Sequence, residues 1–81
     1  MTQINVRRAI RDVKDYLIPY MPDVGKTQIY QLGYGRLKIW RIDNDSLWVG
    51  FILPYKHDPT HENLLHLSPD ELIELAFCKL G

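Results

Sequence analysis

Two turn signals divide the middle of the chain into three runs rich in β-branched and aromatic residues. Gly33-Tyr34-Gly35 and Asn44-Asp45-Ser46 separate residues 27–32, 36–43 and 47–53, and such runs between turns read as antiparallel strands. Side chains alternate along a strand, so a one-residue slip in register moves a whole apolar set to the other face. An even loop in the first hairpin and an odd loop in the second segregate the large apolar residues. One face then carries Tyr30, Leu32, Leu37, Ile39, Leu47, Val49, Phe51 and Leu53. The other carries Ile29, Gln31, Arg36, Lys38, Trp40, Ile42, Trp48, Gly50 and Ile52. The rest of the chain has to be arranged around that sheet.

Helices are expected on both sides of it in sequence. Over residues 5–21, Val6, Ile10, Val13, Leu17 and Tyr20 recur at steps of four and three, which places them on one helical stripe. Asn5 is the expected N-cap, Pro19 ends or kinks the last turn, and Pro22 opposes continuation. Ser68-Pro69-Asp70-Glu71 signals the start of a final helix, with a cap, a proline in the first turn and a capping-box glutamate. Leu72, Leu75, Ala76 and Lys79 line one side of it, with Ile73, Phe77 and Leu80 beside them. Residues 55–62 read as a loop in which Asp58 and Pro59 can begin one helical turn.

The expected fold is α+β in the order αβββα, a three-stranded antiparallel sheet with two helices on one face. With 81 residues there is too little chain for a second core, so residues 1–81 are expected to form a single domain. The order is shared with the double-stranded-RNA-binding domain, among others. Such a domain needs basic residues at the start of its last helix to grip phosphate. Asp70, Glu71 and Glu74 stand there instead, so the shared order is topology and carries no function.

Charge is balanced overall but not along the chain. Residues 1–41 hold eight basic and three acidic side chains, and residues 42–81 hold two and seven. Interleaving in the fold would neutralise the two halves; separation would leave a basic face for an anionic partner. No apolar run approaches the roughly 18 residues of a membrane span. The first residues show no apolar stretch after Arg7 and Arg8 that would read as a signal peptide. One cysteine, Cys78, fits a reducing compartment. A cytoplasmic protein without membrane contact is expected.

Catalytic motifs do not assemble. Gly25-Lys26-Thr27 has Tyr20 where a phosphate-binding loop needs glycine, and its flanking strand and helix are in the wrong order. His57, His61 and His66 fall in or near a loop interrupted by Pro59 and read as surface residues, not metal ligands. Cys78 sits between Phe77 and Lys79 near the end of a helix, as a packing thiol does. No enzyme, cofactor or metal is expected.

The informative surface is the second sheet face. Arg36, Lys38 and Trp40 alternate along the middle strand beside Trp48 and Ile52. Tryptophan, tyrosine and arginine dominate binding energy at protein interfaces. The expected function is a protein-binding module (an inhibitor, adaptor or small subunit of a larger assembly) that docks through Trp40 and Trp48, with Arg36, Lys38 and Tyr34 as rim. A homodimer through the same face belongs to this class. Two alternatives stand beside it. In one, the tryptophans pack across the strands under cation–π cover from Lys38 or Arg36 and only stiffen the sheet. In the other, the module binds nucleic acid through that face or through Arg7, Arg8, Arg11 and Lys14 of the first helix. A sequence pI near 6.8 counts against nucleic acid. The acidic set Asp58, Glu62, Asp70, Glu71 and Glu74 could mimic phosphate towards a basic partner groove.

Overall fold

A computed structural model describes residues 4–77. Its elements are α1 (Ile4–Asp12), α2 (Lys14–Leu17), β1 (Thr27–Leu32), β2 (Gly35–Arg41), β3 (Leu47–Ile52), a 3-10 turn (His61–Asn63), β4 (Leu64–Leu67) and α3 (Pro69–Ala76). The fold is α+β, and its antiparallel sheet runs in the order β1-β2-β3-β4. The sheet therefore has four strands, where the sequence led to three. The addition is β4, which pairs Leu47 with Leu67, Trp48 with His66, Val49 with Leu65 and Gly50 with Leu64. It gives the backbone groups along the outer edge of β3 their partners and buries Leu65 in the core.

Hairpin parity agrees with the sequence reading. Leu32 faces Gly35 across a two-residue loop, and Arg41 faces Leu47 across the five residues 42–46. Tyr30, Leu37 and Phe51 then stand in one row across the sheet, and Ile39, Val49 and Leu65 in another. Against these rows pack Val6, Ala9, Ile10, Val13 and Leu17 from the N-terminal helices and Leu72 and Ala76 from α3. Burying each of the larger of these side chains, Val6, Ile10, Val13, Leu17 and Leu72, contributes about 1.5–3 kcal/mol. Gly35 is obligatory where it stands. Its φ is 154°, and an added Cβ would overlap the Phe51 ring and lie 2.6 Å from the Ile52 carbonyl oxygen.

The first helix differs in three details from expectation. It breaks at Val13, whose φ of −105° and ψ of 12° depart from α-helical values. The amide of Tyr16 donates to the Val13 carbonyl at 2.9 Å, a tightened turn that keeps Val13 and Leu17 on the core side. Tyr20 leaves the stripe and is 61% exposed, because α2 ends at Leu17 as the missing amide of Pro19 dictates. Asn5 lies inside α1 and is not its cap.

The start of α3 is as its sequence reads. Ser68 Oγ accepts from the Glu71 amide at 3.1 Å, and the Ser68 amide donates to Glu71 Oε1 at 2.9 Å. That backbone bond holds the Glu71 carboxyl below its ordinary range. The single helical turn of the long loop falls at His61–Asn63, behind Thr60, and not at Asp58 and Pro59. Cys78, Lys79 and Leu80 lie outside the described residues.

Candidate functional site

Strand alternation puts Trp40, Trp48 and His66 on the face away from the helices, and the register sets them side by side across β2, β3 and β4. Lys38, two residues before Trp40, lays its ammonium nitrogen 4.5 Å from the Trp40 ring centroid. The Trp48 ring stacks on His66 at 4.6 Å and 25°. Trp40, Ile42, Trp48 and Leu64 line an apolar depression of about 290 Å³. Ile42 is 49% exposed and Trp48 37%, so the hollow faces solvent.

On the β3 side of that face the sheet is covered, whereas Ile29 of β1 stays exposed. After β3 the chain folds back over the sheet, so that Ile52 is 3% exposed although it points away from the helices. Pro59 sits over Gly50: a Cβ there would come within 2.7 Å of the proline Cγ. Gly50 thus admits the loop. Arg36 secures it from below, with one guanidinium nitrogen donating to the Lys56 carbonyl at 2.6 Å. Beside this contact Gln31, Arg36, Pro54, Tyr55, Lys56 and His57 line a second hollow of about 460 Å³.

Of the five residues expected to dock, Trp40, Trp48, Arg36 and Lys38 share the outward face. Tyr34 does not. Its hydroxyl donates to Asp12 Oδ2 of α1, its ring stacks on Phe51 at 5.5 Å, and the Arg8 guanidinium lies 4.2 Å from its ring centroid. The two-residue hairpin turn aims Tyr34 at the helix layer, so it cannot rim the tryptophan hollow. Burial and the Asp12 hydrogen bond push its phenol pKa up to about 12.

The basic first helix is partly consumed by the fold. Arg8 joins the Tyr34 cluster and pairs with Asp12 at 3.9 Å, and Lys14 lies 6.0 Å from the Phe77 ring. Arg7 and Arg11 are exposed. On the core side of the sheet end, Arg41 donates to the carbonyls of Pro22, Asp43 and Asn44 at 3.4, 3.2 and 3.2 Å. Arg8, Lys14, Arg36, Lys38 and Arg41, all in the basic half, therefore make internal contacts.

Sequence reasoning placed Ile42 and Gln31 on this face but did not single them out, and it missed Leu64, His66, Tyr55, Lys56 and His57 as its lining. The signal for β4 was the alternation of Leu65 and Leu67 with His66, directly before a cap residue that requires extended backbone. Nothing in the sequence announced the return of the loop except Gly50, a glycine inside a strand.

Among the described residues no group of three or more His, Cys, Asp or Glu side chains is placed to hold a metal ion. No helix among them is long and apolar enough to cross a membrane. Comparison with known proteins finds no matching family model, no matching curated protein and no matching solved structure. What fold and site together define is a small α+β protein whose sheet is covered by helices on one face and carries an open aromatic hollow on the other.

Proposed function

We propose that the protein is a non-enzymatic binding module that docks on another protein, burying an apolar side chain of its partner in the hollow of Trp40, Ile42, Trp48 and Leu64. The observation that supports this reading is the hollow itself, an apolar depression facing solvent on the side of the sheet away from the helices. Exposed apolar concavities rimmed by polar groups are where interface anchors seat. Each indole already has a partner from its own chain, Lys38 over Trp40 and His66 against Trp48. Base stacking of single-stranded nucleic acid needs free aromatic faces, so the pairing favours apolar insertion.

Affinity capture from the native cell extract after nuclease treatment tests it, comparing wild type with Trp48→Ala and Ile42→Ala. A protein retained stoichiometrically by wild type, with affinity lowered by about 2–4 kcal/mol in folded Trp48→Ala, is the expected result. Equal retention by both variants would overturn the assignment of the site. Retention of nucleic acid alone, lost on nuclease treatment, would replace a protein partner with a nucleic-acid one.

A further inference from the structure

The outward face carries two hollows, and their chemistry differs. One is apolar, between Trp40, Ile42, Trp48 and Leu64. The other is cationic: Arg36, Lys56 and His57 line it together with Gln31, Pro54 and Tyr55, and no carboxylate is among the lining residues. The Arg8–Asp12 ion pair lies on the helix side, away from this hollow. Arg36 uses one guanidinium nitrogen on the Lys56 carbonyl, which leaves further donors of its five N–H groups unused in that bond. Arg36 and Lys56 both line this hollow, the Lys56 ammonium nitrogen 5.8 Å from the Tyr55 ring centroid, and no carboxylate is among its lining. Like charges gathered on a concave surface create a potential that an anion relieves.

Resting on the docking reading above, we infer that the partner presents an extended segment with a carboxylate side chain seated at Arg36, Lys56 and His57 and an apolar side chain seated between Trp40 and Trp48. The spacing follows from the strand that connects the two hollows. Arg36 and Trp40 are four residues apart on β2, which at ~3.3 Å per residue separates them by about 13 Å. An extended partner segment has the same rise. Its acidic and apolar residues therefore stand four positions apart, on one side of the segment, with Lys38 beneath the residues between them. Arg36 offers a carboxylate a planar fork of donors, and Lys56 adds a mobile charge.

The test is selection of a displayed library of random twelve-residue peptides on the folded wild-type protein, in parallel with Lys56→Glu and Trp48→Ala. Lys56 is suitable because its side chain is exposed and the Arg36 contact uses its backbone carbonyl. The expected winners carry Asp or Glu four positions from Leu, Ile, Phe or Trp. Changing that acid to its amide in a synthetic winner weakens binding about tenfold, and selection on Lys56→Glu loses the acid preference. Winners that need the apolar residue and Trp48 but show no acid, or show it at another spacing, overturn this inference and leave the docking reading standing. Winners indifferent to both Lys56→Glu and Trp48→Ala overturn both. A single-stranded oligonucleotide that binds more tightly than the winning peptides, and is lost with Lys56→Glu, also overturns the carboxylate assignment.

Discussion

The two faces of the sheet are made from the same strands and differ in what covers them. On the inner face, Leu37, Ile39, Leu47, Val49 and Phe51 are at most 1% exposed beneath helices contributed from opposite ends of the chain. On the outer face, a single loop crosses Gly50 and Ile52 and stops short of Trp48 and Ile42. Burial on the inner face follows from alternation and is a property of the fold. The partial cover on the outer face depends on one glycine, one proline and one arginine contact. The lesson is that an apolar residue on the far side of a sheet can serve two ends: Ile52 has become core, while Trp48, four residues earlier on the same strand, has stayed at the surface.

Phe51→Ala should break the inner face. It removes a ring that packs in the core and against Tyr34, and an expected loss of about 3–5 kcal/mol would show as a large fall in the urea midpoint. Gly50→Val attacks the outer cover instead. Its side chain would meet Pro59 and Leu64, at a cost of about 1–3 kcal/mol, and limited proteolysis should begin between residues 54 and 60 while α3 remains protected. A smaller effect is expected where the first hairpin meets α1. Tyr34→Phe deletes the hydroxyl that donates to Asp12 and should cost about 1 kcal/mol.

That cluster also carries a pH signature. The Tyr34 phenol titrates near 12 when folded, against the ordinary 10.0. A raised folded value means the native state holds the proton more firmly than the unfolded chain. The stabilisation is complete below pH 10 and is lost as pH rises from 10 to about 12. Alkaline unfolding curves should show this loss in wild type, and Tyr34→Phe should flatten it.

The inner face was legible in the sequence because it rests on periodicity. Apolar residues at every second position of three runs, with loops of opposite parity, left one register that segregated them. The helix cap was equally plain, since Ser68 and Glu71 act on neighbouring backbone. What escaped the sequence depends on contacts that no local rule encodes. Leu64–Leu67 is too short and too rich in leucine to declare itself a strand, and it becomes one because the edge of β3 is open to it. Tyr34 looked like a rim residue by type, but a two-residue turn can aim a side chain to either side of the sheet, and Asp12 and Arg8 decided which. Tyr20 fitted the helical stripe by spacing alone, and Pro19 removed the helix that the spacing assumed. The tryptophan hollow was half visible: alternation placed Trp40 and Trp48 together, whereas Leu64 and His66 reached them only through β4.

The division of labour between the two faces is tested most directly by equilibrium urea unfolding of the double variant Trp48→Ala/Ile42→Ala, measured beside Phe51→Ala. If the open hollow serves docking, the double variant should unfold in one cooperative step and lose no more than about 1–2 kcal/mol, less than Phe51→Ala alone. A loss equal to or greater than that of Phe51→Ala would contradict the account, because the tryptophan pair would then be a second core and not a surface held ready for a partner.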